Sequence, residues 1–231
     1  MNMKKLLLAS TLMLSGSAMA AGFYAGGLVG GVSHQFNTSE ADPAGGAALL
    51  ADGIPQKHSG GVQGFVFGVY GGYQFDLMND FFVAAEIDAS IDTSHGKYDS
   101  NRALVGTYRS LTPQHTYGLY ALPGFQLSDK VDVYGRLGVA QTQFEYKATY
   151  DDTTGQQVSK KETDALATVV GVGMKYQFHD MMAFRLDYRY SMYAEFKAIK
   201  EDKAPTDANG FSYLGTNKVN ASSQSFNVGV E

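Results

Sequence analysis

Cysteine is absent from all 231 residues. That excludes disulfides, thiolate metal sites and a lipid-modified N-terminal cysteine. Also missing is any stretch of about 20 consecutive apolar residues, the length a membrane-crossing helix needs. Basic residues are in deficit, with 18 Lys and Arg against 23 Asp and Glu and a net charge of −5, which argues against nucleic acid as a partner. A chain without such a helix crosses a bilayer only as a closed barrel, because no other structure satisfies every backbone group in hydrocarbon. The chain ends on Glu231, which is not aromatic.

The first residues supply an address. Lys4 and Lys5, the apolar stretch Leu6 to Leu14 and the small residues Ser17-Ala18-Met19-Ala20 predict a secretory signal over residues 1–20. Its removal leaves 211 residues (231 − 20) and a charge of −7 (16 − 23), enough chain for one domain over 21–231 and its loops. An exported, cysteine-free barrel points to the outer membrane of a Gram-negative bacterium.

Three stretches mark the repeat: Gly72-Tyr73-Gln74-Phe75, Gly124-Phe125-Gln126-Leu127 and Lys175-Tyr176-Gln177-Phe178, with glutamines 52 and then 51 residues apart. Each ends one alternating run, meets a short turn and starts a second run. Phe81, Val83, Ala85, Ile87, Ala89 and Ile91 alternate with Phe82, Ala84, Glu86, Asp88, Ser90 and Asp92. Met182, Phe184, Leu186, Tyr188, Tyr190 and Met192 alternate with a set that includes Arg185, Asp187 and Arg189. A period of two makes strands, and short links make antiparallel hairpins. The polar set is rich in glycine and opposed charges and the apolar set is large, so the apolar set faces lipid and the polar set fills a lumen.

The pattern predicts eight strands, at about Gly22–Gln35, Gly61–Phe75, Phe81–Asp92, Gln114–Leu127, Val131–Phe144, Thr163–Phe178, Met182 onward and Ser222–Glu231. Between them lie three tight turns (Asp76–Asp80, Ser128–Lys130, His179–Met181) and four long loops (Asn37–Gly60, Thr93–Thr112, Tyr146–Lys161, Glu195–Lys218). Pro123 removes a ladder donor from the fourth strand and predicts a bulge or a local weakness there. The fold class is therefore all-β, an eight-stranded antiparallel up-and-down transmembrane barrel with short periplasmic turns and long outer loops.

The glycine-rich first strand Phe23-Tyr24-Ala25-Gly26-Gly27-Leu28-Val29-Gly30-Gly31-Val32, the recurring Gly-aromatic-Gln strand ends and Val131-Asp132-Val133-Tyr134-Gly135-Arg136-Leu137-Gly138 resemble the small outer-membrane barrels of the OmpA/OmpX and opacity-protein type. The resemblance covers essentially the whole mature chain and implies the fold more than an activity. It implies a non-enzymatic barrel, expected to be monomeric and without a cofactor, inserted by the barrel-assembly machinery among outer-membrane lipid and lipopolysaccharide. Surface interaction through the outer loops, as in adhesins, is its first implied role; a small, low-conductance, porin-like channel is the alternative, and a lipid-modifying enzyme the third.

Four sets of residues are candidates for function. Glu86, Asp88, Arg136, Lys175, Arg185, Asp187 and Arg189 share the inward parity and predict a lumen charge network, with Glu86 facing Arg189 because each lies 12 residues past its own glutamine. Asp88 is the alternative acid. Tyr73, Phe75, Phe81, Phe125, Tyr176, Phe178 and Phe184 predict an aromatic girdle at the periplasmic interface. Phe196, Lys197, Lys200, Lys203, Phe211, Tyr213 and Lys218 offer basic and aromatic contacts in the fourth loop, suited to lipopolysaccharide phosphates or a host surface ligand. His34, His58, His95, His115 and His179 read as solvated, since adjacent Ser-His pairs on a strand point to opposite faces and the His-x-Ser arrangement of lipid A deacylases is absent. No catalytic or metal site is expected.

Overall fold

Alternating runs of ten or more residues fix an extended backbone, because only a period of two sends one set of side chains to lipid and the other to a lumen. The structure, a computed structural model, describes residues 22–40, 57–77, 79–95, 97–99, 108–152, 155–197 and 217–231. Eight long strands run β1 (Phe23–Glu40), β2 (Lys57–Asp76), β3 (Phe81–Asp92), β4 (Tyr108–Ser128), β5 (Val131–Asp152), β6 (Gly155–His179), β7 (Met182–Tyr193) and β8 (Asn217–Val230). Each is antiparallel to its chain neighbour, and β8 returns to pair with β1 and close the ring. The short segments Lys97–Asp99 and Phe196–Lys197 add to β4 and β8. The predicted signal over 1–20 lies outside the described residues.

The register fixes the stagger. Following paired residues around the ring from Tyr24 leads through Gly72, Glu86, Tyr120, Gly138, Val169, Ser191 and Ser223 to His34, ten residues further along β1 (34 − 24). Residues paired in the ladder are therefore not level; level side chains on strands half a ring apart differ from ladder partners by about five residues, half the total shear. In the turn between β2 and β3, Asn79 and Asp80 take left-handed φ of 62° and 63°, a conformation that short polar side chains tolerate better than others.

One sequence expectation is corrected and another narrowed. The third loop, expected over Tyr146–Lys161, is instead a continuation of β5 and β6, paired as far as Asp152 with Gly155. Gln141, Gln143, Glu145 and Lys147 replace the apolar set on the outward face there, so the strand loses its two-tone signature once it clears the lipid. The ammoniums of Lys160 and Lys147 flank Glu145 and hold its carboxyl below the usual carboxylate range. At Pro123 the second alternative holds: the β4–β5 ladder skips Leu122 and Pro123 and resumes in step, a local weakness without a bulge, while the register shifts fall at Pro113/Thr116 and Gln126/Ser128.

The outward face is an apolar belt. Ile87 is 64% exposed, Val172 63%, Leu137 55% and Phe226 55%, an arrangement that only lipid makes favourable. Ile87→Lys is expected to cost about 2–4 kcal/mol in phospholipid vesicles, whereas Ile87→Leu costs less than about 1.5 kcal/mol. Urea unfolding of the two variants checks this; equal stability would reverse the assigned facing.

Candidate functional site

β3, β5 and β7 all leave the short turns in the same direction, and their inward positions recur at every second residue. That stacks Glu86 with Asp88 on β3, Asp132, Tyr134 and Arg136 on β5, and Arg185, Asp187 and Arg189 on β7. The intervening strands leave room. A Cβ on Gly173 would lie 2.3 Å from the Tyr134 ring, and one on Gly118 would lie 2.0 Å from the Tyr120 hydroxyl. Glycine at these two sites lets each tyrosine lie across the lumen and reach an acid.

Glu86 is the hub. Arg136 Nη2 donates to its Oε1 at 2.8 Å, and Arg185 Nη1 donates to its Oε2 at 2.6 Å. The Tyr24 hydroxyl adds a third donor to Oε2 at 3.0 Å. Asp187 completes the ring: Arg136 Nη2 reaches its Oδ1 at 3.2 Å and Arg185 Nε its Oδ2 at 2.9 Å. Tyr134 accepts from Arg185 Nε at 2.6 Å and donates to Asp187 Oδ1 at 3.0 Å. One layer outward, Arg189 Nη1 pairs with Asp88 Oδ2 at 2.5 Å, and the Tyr120 hydroxyl donates to Asp88 Oδ1 at 3.2 Å. Guanidiniums also sit over rings, Arg136 over Tyr120 and Arg185 over Tyr70, both at 4.5 Å.

Three arginines face three carboxylates in these two layers, all buried. Burial of single ions at this depth costs several kcal/mol each, and multiple short contacts are what offset it. Nearer the short turns, Lys175 pairs with Asp132 at 3.0 Å and with Glu231 at 3.5 Å. Below the network a cavity lined by Tyr24, Gln74, Lys175, Arg185 and Glu231 has a volume of about 20 Å³, room for one water.

The structure thus brings together six residues of the expected network, places the seventh, Lys175, nearer the short turns on Asp132 and Glu231, and changes one pairing. Glu86 does not pair with Arg189; Arg189 takes Asp88, and Glu86 takes Arg136 and Arg185. The cause is turn length. Gln74 pairs with Ala84, ten residues on, whereas Gln177 pairs with Ala183, only six on. Counting 12 residues from each glutamine therefore overshoots on β7, and Arg185 rather than Arg189 stands at the height of Glu86. Tyr24, Tyr70, Tyr120, Tyr134 and Asp132 were missing from the expected set, although their inward parity is readable on every strand but the glycine-rich first.

His34 is a further correction. It is not solvated but 3% exposed in the lumen, with Nε2 2.7 Å from Asp92 Oδ2. Its strand has glycine on both parities, which hid the facing. Asp92 Oδ1 also accepts the Ser94 N–H at 2.7 Å. His95, His115 and His179 are exposed as expected.

The fourth-loop set is also changed. Phe196 is 8% exposed and stacked on Phe144 at 5.3 Å, inside an apolar cluster with Phe36, Val62, Leu111, Tyr146 and Val219. Its strand folds back onto β8 and turns the ring inward. Lys197 and Lys218 face each other in backbone register. Lys200, Lys203, Phe211 and Tyr213 lie outside the described residues.

The girdle residues gather beside the short turns. Phe75, Phe81, Tyr176, Phe178 and Phe184 are exposed, with Tyr73 and Phe125 half-buried between neighbours. Phe178 and Phe184 stack at 4.4 Å, Tyr73 meets Phe75 at 4.5 Å and Phe81 meets Phe125 at 5.0 Å. Phe23, 4.6 Å from Tyr73, joins them.

A closed eight-stranded ring with an apolar belt outside and paired ions inside defines an integral outer-membrane β-barrel protein. Residues 6–231 match the family described as outer membrane protein beta-barrel domain, and the chain belongs to that family. Two sequences of outer membrane protein P5 from Haemophilus influenzae are 32% identical over 65% of this chain and 30% identical over 79%. The chain spans 41% and 52% of the length of those two relatives. Among solved structures, the outer membrane protease OmpT of Escherichia coli aligns over 94% of this chain and 97% of its own, with a TM-score of 0.52 and 9% identity, a likeness of fold alone. The chain's place is the bacterial outer membrane.

Proposed function

We propose that this barrel is a closed, non-enzymatic anchor whose outer strands and loops make the contacts that matter, with other surfaces and with the envelope around it. The observation that carries this reading is double closure of the lumen. Arg136 and Glu86 are 0% and 1% exposed within the ion network, and Phe144 is 0% exposed within the outer aromatic cluster. An eight-stranded ring is just wide enough for its side chains to fill, and here they fill it with ions at one level and rings at another.

The channel reading needs both levels to open. Rearranged ion pairs would leave the aromatic cluster in place, and an apolar constriction of that kind stops ions by shedding water. Planar-bilayer recordings of the purified protein separate the two. The anchor predicts no steps above background in wild type and none in Arg189→Ala, with loss of cell-surface binding when residues 198–216 are deleted. Stable channel openings in wild type, with binding unchanged by the deletion, would favour the channel instead.

A further inference from the structure

Outward glycines interrupt the lipid-facing belt at Gly27, Gly31, Gly71 and Gly135, and of these four only Gly31 has an aromatic residue on each side. Gly31 on β1 stands in register between Phe65 of β2 and Phe226 of β8. Both phenylalanines are outward, 63% and 55% exposed, and a Cβ built on Gly31 meets nothing within 4 Å. The row Phe65-Gly31-Phe226 is therefore a notch with two aromatic walls and a backbone floor. It opens into a groove of about 360 Å³ lined by Gly31, Ser33, Gln63, Tyr188, Gln224 and Phe226.

The row directly outward of the notch is polar. Ser33 is in register with Gln63 on one side and with Gln224 on the other. The Tyr188 hydroxyl donates to Gln224 Oε1 at 3.1 Å, which leaves that amide's N–H groups free to point elsewhere. This row lies where the belt ends: Thr93 just past β3, His115 on β4 and Gln141 on β5 replace apolar residues there. An apolar slot just inside the outer interface, with two amides and a hydroxyl at its mouth, matches an acyl chain and the linkage that joins it to a headgroup.

We propose that the Gly31 notch is a specific seat for one acyl chain of lipopolysaccharide, with Gln63, Ser33 and Gln224 hydrogen-bonding the amide or ester at the head of that chain. The slot is continuous with the surface the barrel already presents to lipid, and it stands at the outer-leaflet end of that surface. Lipopolysaccharide fills that leaflet and joins acyl chains to sugar through both amide and ester links, so amide side chains at the mouth have matching donors and acceptors. Filling the slot packs a chain against its aromatic walls and pairs the amides at its mouth, the two forces that remain between apolar surfaces in lipid.

The sequence holds no tryptophan, so a single introduced one reports its own surroundings. Phe65→Trp places it in the notch wall; Val139→Trp places it on β5, half a ring away near the same interface. Each variant is reconstituted in vesicles of brominated-acyl phosphatidylcholine with a rising fraction of lipopolysaccharide. Fluorescence of Phe65→Trp is expected to recover at about a fivefold lower lipopolysaccharide fraction than that of Val139→Trp, the worth of roughly one net hydrogen bond. Adding Gly31→Phe, which fills open space, removes the difference. Should that variant fail to insert, Gln63→Leu with Gln224→Leu provides the same test from the mouth of the slot. Parallel recovery of both tryptophans, a preference that survives these substitutions, or quenching that changes with the protein-to-lipid ratio, as a second copy in the notch would cause, overturns the proposal.

Discussion

Glu86→Ala is expected to lower the unfolding free energy by about 3–5 kcal/mol, because it removes the shared partner of two buried guanidiniums at once. Arg136 and Arg185 keep only Asp187 as a carboxylate of the central ring, and the buried network is left with a net positive charge. The double replacement Glu86→Ala/Arg136→Ala then recovers part of the loss, since it removes one of the orphaned ions. The same logic tests the pairing. Asp88→Ala and Arg189→Ala are expected to couple by about 1–3 kcal/mol, while Glu86→Ala and Arg189→Ala add to within about 0.5 kcal/mol. Urea titrations in vesicles, followed by the shift in SDS mobility between folded and heated protein, give all of these values. Strong coupling of Glu86 to Arg189 would reinstate the pairing that residue counting suggested.

Phe144→Ala is expected to cost about 3–5 kcal/mol by a different route. Its ring is wholly buried and touches Phe36 at 6.1 Å and both Tyr193 and Phe196 at 5.3 Å. Truncation leaves a cavity walled by β1, β7 and a folded-back segment, so collapse around it is restricted. Phe144→Leu, which keeps most of the volume, costs less than about 1.5 kcal/mol. Unfolding titrations of the two variants separate cavity formation from general sensitivity of the outer end; equal losses would show that ring stacking, not volume, holds the cluster.

Which parts of this were readable depends on what wets each face. On β3 and β7 one face meets lipid and the other a charged lumen, so Ile87 beside Glu86 and Leu186 beside Arg185 declare their directions in the sequence. Beyond Gln141 both faces lose that contrast, so the outer continuation of β5 and β6 carries the pattern of a loop. The inward charges were legible by parity, but their partners were not. Pairing depends on turn length and on the ten-residue stagger, and neither is written in any one strand. The burial of His34 and Phe196 is hidden for related reasons: the first follows a run of glycines that carries no facing signal, and the second comes after a strand has ended, where alternation has nothing left to say.

The seam between β1 and β8 has a kinetic consequence. Gly27 meets Val230 across 203 residues of chain (230 − 27), whereas every other long-strand pair is made by chain neighbours. Contacts so distant in sequence form late, because the closure entropy must be met before they return anything. Until that last pairing there is no inside. Glu86, Arg136 and Arg185 sit on one face of an open sheet, in contact with water and free to exchange partners. The ion network is thus a product of ring closure and not a guide to it, and lumen substitutions should act on the rate of opening far more than on the rate of assembly.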